Sequence, residues 1–106
     1  MNLSQLYYFR KLAEIEHYGK ASEELFITQP SLSNSIGNLE KELGVPLFDR
    51  VGRNVRLTSY GAEFNEHVCV ALSEIDKAID LMKLYSSGLS GQIRIGAVIS
   101  IQRNFL

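Results

Sequence analysis

The sequence has 106 residues, a formal net charge of −1, 45% hydrophobic and 22% charged residues, and two prolines. This composition is typical of one soluble globular domain with a short appendage and excludes a disordered or collagen-like chain. No apolar run approaches the length of a membrane span, so no membrane partner is expected, and the single cysteine, Cys69, excludes an internal disulfide.

The near-zero net charge argues against a nucleic-acid partner, because duplex DNA is bound largely by neutralising its phosphates. The charges are unevenly distributed, however. Net charges are 0 over residues 1–58, −3 over 59–91 and +2 over 92–106. Three arginines of the first segment lie close together with no acid between them, which predicts a local basic patch: Arg50, Arg53 and Arg56.

The first elements along the chain are two predicted helices. The first reaches about Glu16 and is capped by Ser4 or Asn2, because apolar residues recur at helical spacing: Leu3, Leu6, Phe9, Leu12 and Ala13. It lacks the continuous apolar core of a signal peptide, so a cytoplasmic protein is expected. His17 has no partner in the sequence and is interpreted as a turn residue. Gly19 opens the short second helix, KASEELF.

A third helix is predicted over residues 30–43. Thr28 is its expected N-cap, Pro30 is tolerated in its first turn and Gly44 ends it. Its inner face has four apolar residues at helical spacing: Leu32, Ile36, Leu39 and Leu43. No charged side chain occurs from Gln29 to Leu39, so the outer face is small, neutral and hydrogen-bonding. This face suits close approach to a DNA groove, although a packed helix with a tolerant surface has the same pattern.

The next segment predicts a small β-hairpin, in which LFDR and VRL are short strands joined by VGRN. Gly52 and Asn54 are the residues of this turn that are expected to adopt positive φ angles. Arg53, at the tip, is placed to reach DNA, whereas Arg50 either braces the hairpin or contacts DNA. Arg56 suits a carboxylate at the edge of the core as well as a phosphate. Residues 1–58 therefore predict a mainly α fold, a winged helix-turn-helix of three helices and a hairpin.

A long helix is predicted over residues 59–86, with Thr58 as its N-cap. Its apolar stripe is wider than one domain easily covers, so we expect it to form a homodimer, although it alternatively folds back on its own domain. The residues expected at the dimer interface are Phe64, Val68, Ala71, Leu72, Ile75, Ile79 and Met82. Glu63 and His67 have the i, i+4 spacing of two metal ligands, but without a third ligand a solvated helical face is favoured and no metal is expected.

The stretch SSGLSG is rich in glycine and serine, and residues 87–91 are interpreted as a hinge. Beyond it, QIRIGAV alternates as a strand does, and ISIQRNFL resembles a loop entering a helix. One strand and part of a helix cannot bury a core. Residues 92–106 are therefore expected to be the start of a further domain that this chain does not contain.

The stretch ASEELFITQPSLSNSIGNLEKELGVPLFDRVGRNVRLTSYG resembles the N-terminal domain of LysR-type transcriptional regulators. The family motif has Ser-Gln-Pro-x-x-Ser, Leu-Glu-x-x-Leu-Gly and Leu-Phe-x-Arg, and the match covers residues 1 to about 60. The resemblance implies a dimer on an interrupted palindrome of double-stranded DNA, with Arg53 near the minor groove. It implies further DNA contacts by Thr28, Gln29, Pro30, Ser31, Ser33, Asn34, Asn38 and Arg50.

The resemblance extends more loosely beyond the hairpin. The long helix resembles the family's dimerising linker helix, and GQIRIGAVIS resembles the first strand of its effector-binding domain. The resemblance also implies that Ser100 belongs to a binding site for a small-molecule effector. This site is incomplete in the chain and would function only in a full-length form. This chain departs from the family pattern at three positions. Asn34 occupies a position that is often basic, Ser22 a position that is often Ala, and Gly19 replaces a hydroxyl cap at the start of the second helix. We therefore expect fewer contacts to DNA phosphates.

The sequence favours a dimeric, sequence-specific DNA-binding module without a catalytic step. No nucleophile–base pair, carboxylate pair or phosphate-binding loop is found, so no enzyme activity and no cofactor are predicted. The alternative is a protein-interaction module, in which the long helix pairs with a partner, as in an inactive heterodimer, and the winged domain merely docks.

Overall fold

The computed structural model describes residues 1–87. The predicted strand within 92–106, and Ser100, lie outside the described residues. Six elements occur in chain order within these described residues: α1 (Leu3–Ile15), α2 (Tyr18–Leu25), α3 (Gln29–Leu43), β1 (Phe48–Val51), β2 (Asn54–Leu57) and α4 (Ser59–Ser86). This arrangement of helices with a two-stranded hairpin confirms the predicted winged helix-turn-helix.

The helix ends follow from local hydrogen bonds. Asn2 caps α1, since its side chain accepts from the backbone N–H of Gln5 while the Gln5 side chain accepts from that of Asn2. Thr28 caps α3 as predicted, and Gly44 ends that helix with φ of 79°. His17 caps α2, because its Nδ1 accepts from the backbone N–H of Lys20 at 3.0 Å. The interpretation of His17 as an ordinary turn residue was therefore wrong.

Two non-glycine residues in left-handed conformation make the tight turns between the helices. Glu16 ends α1 with φ of 61°, and Phe26 ends α2 with φ of 58°. Such angles are unfavourable for residues that carry a Cβ. Together these two turns set how α1, α2 and α3 follow one another.

The hairpin, here called the wing (residues 48–57), is antiparallel, with Phe48 opposite Leu57 and Val51 opposite Asn54. Its turn consists of Gly52, which has the expected positive φ angle, 63°, and Arg53. The positive φ angle predicted for Asn54 was wrong, because Asn54 is already the first residue of β2. The wing is tied to the helices by backbone groups, because the N–H of Val55 donates to the carbonyl oxygen of Glu16 at 3.0 Å. The position of the wing is thus fixed relative to the end of α1.

The core lies between the three short helices, the inner side of the wing and the first turns of α4. Its aromatic centre is Phe9, whose ring lies 5.5 Å from that of Phe48 and 5.3 Å from that of Phe64. The buried hydrophobic residues are Phe9, Leu12, Ala21, Leu32, Ile36, Leu39, Leu47, Val55, Val68 and Leu72. The inner face predicted for α3 is therefore confirmed at three of its four positions, and Leu43 is half-buried.

Residues 1–72 form one compact unit, and the described residues from 73 to 87 belong to a second. The first turns of α4 therefore contribute to the core of the first unit. Val68 and Leu72 are buried within their own chain. Their assignment to a dimer interface was therefore wrong, since a buried side chain is not available to a partner.

The second unit is described from residue 73 to residue 87. There α4 continues to Ser86 with several large apolar side chains exposed, among them Ile79, Leu81 and Met82. Within residues 1–87, no helix is long and apolar enough to cross a membrane.

Candidate nucleic-acid interface

The outer face of α3 is exposed and uncharged over its first turns. Its hydroxyl and amide groups point to solvent because Leu32, Ile36 and Leu39 hold the opposite face in the core. The exposed residues include every predicted contact on this helix and its cap: Thr28, Gln29, Pro30, Ser31, Ser33, Asn34 and Asn38. Short side chains of this kind let a helix approach a groove closely.

Thr28 and Ser31 are already engaged with each other. The Thr28 hydroxyl donates to the Ser31 Oγ at 2.8 Å and accepts from the Ser31 backbone N–H at 3.2 Å. Thr28 therefore fixes the start of the helix, and a contact from its hydroxyl to another molecule would compete with the cap. The other exposed polar side chains of the N-terminal half, on Gln29, Ser33 and Asn34, have no hydrogen bond within the described part of the chain.

Gly37 lies further along the same helix. A Cβ at this position would meet no atom of the described chain within 4 Å, apart from the adjacent backbone of its own helix. Glycine inside a helix costs about 1 kcal/mol relative to alanine, and packing within the domain does not explain it here. Close approach by another molecule, such as DNA, would explain this glycine and is a prediction.

The three arginines of the wing differ in their surroundings. Arg53 is exposed at the turn, and Arg50 lies over the ring of Tyr18, with 5.4 Å from its Cζ atom to the ring centroid. Arg56 is opposite Asp49 in the strand register and is exposed. None of the three forms an ion pair within residues 1–87, so their charges are available to an external anion.

Tyr18 joins the wing to the helices. Burial raises the pKa of its phenol, the carboxylate of Glu40 raises this pKa further, and the Arg50 guanidinium lowers it. Since the net direction is upward from 10.0, the phenol stays protonated at neutral pH. Arg50 is thus supported by a neutral aromatic ring, a partner that no local pattern in the sequence indicated.

A polar cleft brings these parts together. It lies between the beginning of α2, the beginning of α3 and the turn of the wing. Its side chains come from His17, Tyr18, Gln29, Arg50 and Arg53. Three of these residues were predicted to bind DNA, on two separate elements. His17 and Tyr18 were missed, because their placement in the cleft depends on how α2 packs against the wing.

The second unit contributes a separate surface on α4. Ile75, Ala78, Ile79 and Met82 line a shallow apolar groove along the helix, flanked by Lys83 and Ser86. Ile79 is 44% and Met82 is 55% exposed. These residues include three of those predicted to form the dimer interface. Of the remaining four, Val68 and Leu72 are buried, Ala71 is exposed, and Phe64 is half-buried against Phe9.

Glu63 and His67 are not part of a group of metal-ligating side chains in the described region. Among residues 1–87, no three His, Cys, Asp or Glu side chains are grouped as a metal ion would require. The two residues instead lie beside an open apolar hollow lined by Val45, Tyr60 and Phe64.

Comparison with known proteins agrees with this geometry. The family model described as "Bacterial regulatory helix-turn-helix protein, lysR family" matches residues 3–62. The regulator IlvR of Caulobacter vibrioides is 42% identical over 98 residues, which are 92% of this chain and 33% of IlvR. The dual regulator GltC of Bacillus subtilis is 42% identical over 106 residues, all of this chain and 35% of GltC. The chain spans about a third of the length of these two relatives.

Solved structures give the same result. The chain is similar to the DNA-binding domain of BenM in its complex with catB site 1 DNA, with a TM-score of 0.74 and 39% identity. The match covers 83% of this chain and 95% of the BenM domain. The chain belongs to the LysR family of bacterial helix-turn-helix transcriptional regulators, and residues 3–62 are its DNA-binding region.

Proposed function

We propose that the chain binds an interrupted palindrome in duplex DNA as a homodimer. The first turns of α3 enter the major groove, and Arg53 of the wing reaches the adjacent minor groove. The observation that carries this proposal is the shared cleft, because Gln29 at the start of α3 and Arg53 of the wing line the same depression. A DNA strand that follows the recognition helix would therefore meet the wing.

Base recognition is assigned to the uncharged face of α3. Gln29 and Asn34 carry amides, which form paired hydrogen bonds with adenine, and Ser33 carries a hydroxyl that bonds to several bases. All three side chains are exposed and have no internal hydrogen bond within the described chain. These residues are proposed to determine which sequence is bound.

Affinity is assigned to the wing arginines. The recognition helix has no basic side chain before Lys41, so electrostatic attraction to phosphates must come from other elements. Arg50 and Arg53 have free charges beside the helix, and a narrow minor groove attracts arginine. This division explains how a chain with a net charge of −1 binds a polyanion.

Dimerisation is assigned to the apolar groove of α4. A two-fold homodimer uses the same surface on both copies, and this groove is apolar along about two helical turns, from Ile75 to Met82. Two copies would present two wings and two recognition helices, which matches the symmetry of a palindrome. A small-molecule effector is proposed only for a longer form of the protein.

The salt dependence of DNA affinity tests the proposal. With a duplex recovered by selection from a random pool, the affinity of the chain should fall steeply as salt rises. Arg53→Ala should weaken binding and reduce the slope of log K against log salt by about one unit. Lys77→Ala is the control, because Lys77 pairs with Glu74 on α4, outside the DNA-binding unit. An unchanged affinity and slope for Arg53→Ala would contradict the wing assignment.

A further inference from the structure

The His17 imidazole is held in one tautomer. Its Nδ1 accepts a hydrogen bond from the backbone N–H of Lys20 at 3.0 Å, so in the neutral ring the proton resides on Nε2. The Nε2–H group finds no acceptor among residues 1–87. The cap of α2 thus leaves one oriented donor without a partner.

Gly19 allows the ring to lie close to the first turn of α2. A Cβ on Gly19 would be 3.0 Å from the His17 Cε1 atom and 3.8 Å from the Gln29 Oε1 atom. The imidazole and the Gln29 amide therefore both approach the same point of the α2 backbone. This contact places His17 beside the beginning of the recognition helix, in the cleft that also contains Arg50 and Arg53.

The groups in this cleft favour one kind of ligand. The two guanidinium groups and the imidazole Nε2–H are donors, and the guanidinium groups are positively charged. Phosphate oxygens accept from all of them, whereas base edges present donors as well as acceptors. A DNA backbone that passes from α3 to the wing would bring a phosphate to this position.

We propose that His17 contacts DNA directly, with its Nε2–H donating to a phosphate oxygen of the strand that passes between α3 and the wing. This inference rests on the proposed function. Because Nδ1 accepts the hydrogen bond from the Lys20 N–H and so carries no proton, the contact adds affinity without adding charge. It therefore differs from an arginine contact in its salt dependence.

Two substitutions separate the contact from the helix cap. Asn and Ser are both favourable N-cap residues, so His17→Asn and His17→Ser keep an acceptor for the Lys20 N–H but are too short to reach the phosphate. His17→Ala removes both interactions. All three variants, with Arg53→Ala as the reference, are measured at pH 7.5 for thermal stability, DNA affinity and salt slope.

The two capping variants should retain the melting temperature and lose DNA affinity about tenfold, the size expected for a hydrogen bond to a charged group. Their salt slope should equal that of the unchanged chain, whereas Arg53→Ala should lower the slope. His17→Ala should lose both stability and affinity.

Other outcomes would overturn the inference. If both capping variants bind as tightly as the unchanged chain while Arg53→Ala weakens binding, His17 is only a cap and the proposed function stands. If the capping variants reduce the salt slope by a full unit, the contact is that of a charged imidazolium. If neither they nor Arg53→Ala weaken binding, the proposed function fails together with the contact.

Discussion

The carboxylate of Glu40 accepts a hydrogen bond of 2.7 Å from the backbone N–H of Leu47, and the same oxygen accepts from the N–H of Phe48 at 3.2 Å. One side chain of α3 thereby satisfies two backbone groups at the start of the wing. The recognition helix and the wing are joined through this carboxylate, and their relative position depends on it.

Glu40→Ala should therefore destabilise the fold by about 1–3 kcal/mol, the cost of leaving partly buried hydrogen-bonding groups without partners. Urea denaturation measures this change. Glu42→Ala is the matched control two residues away, because Glu42 forms only an exposed pair with the N-terminus and should cost less than about 1 kcal/mol. Equal effects of the two substitutions would show that the carboxylate does not hold the wing.

Two glycines with opposite surroundings, Gly61 and Gly37, test how closely the backbone packs at each position. A Cβ on Gly61, in the first turn of α4, would overlap the carbonyl oxygen of Leu47 and press on the side chain of Leu57. Gly61→Ala should therefore destabilise the fold by about 1–3 kcal/mol or more, as overpacking does.

Gly37→Ala is the counterpart, since the added methyl group would meet no atom of the described chain within 4 Å. It should stabilise the fold by up to about 1 kcal/mol, because alanine favours a helix over glycine. In thermal melts, Gly61→Ala should lower the melting temperature and Gly37→Ala should raise it. A stabilised Gly61→Ala, or a destabilised Gly37→Ala, would contradict the packing described.

Replacing the left-handed residue at the end of α2 by glycine should increase the stability of the fold. Phe26 is 93% exposed with φ of 58°, so its ring contributes little packing while its backbone is strained. Phe26→Gly should raise stability by about 1 kcal/mol, which corresponds to a melting temperature higher by about 4–8 °C for a domain of this size. Glu16→Gly, at the equivalent end of α1, should act in the same direction. A lower melting temperature for Phe26→Gly would mean that the ring has a structural partner.

The apolar groove of α4 makes a prediction about assembly. Ile79→Asp should give monomers in sedimentation experiments, because it places a charge in the proposed dimer interface. Leu81→Asp is the control, since Leu81 is as exposed as Ile79 but lies about 200° around the helix. Monomers from both variants, or from the unchanged chain, would contradict the proposed interface.

Local signals in the sequence predicted most of the elements. Thr28 and Gly44 mark the ends of α3, and the apolar periodicity of residues 59–86 predicted a helix that the structure places at Ser59–Ser86. These features depend on residues within a few positions of one another, so they are readable without knowledge of tertiary packing.

The features that sequence missed depend on contacts between elements. Val68 and Leu72 belong to the same periodic stripe as Ile79, and only packing against the rest of the domain distinguishes core from exposed surface. The Glu40 bonds to the start of the wing and the Arg50 contact with Tyr18 join residues far apart in the chain. Glu16 and Phe26 adopt positive φ angles without a glycine to indicate them.

Selection of duplexes from a random pool by the 106-residue chain tests the central claim most directly, because it reports base recognition and dimer geometry together. Recovered sequences should contain two inverted half-sites at a constant separation, and Gln29→Ala or Ser33→Ala should change the preferred bases within each half-site without changing that separation. If no sequence becomes more frequent than in the starting pool, the claim that the exposed face of α3 reads DNA is contradicted.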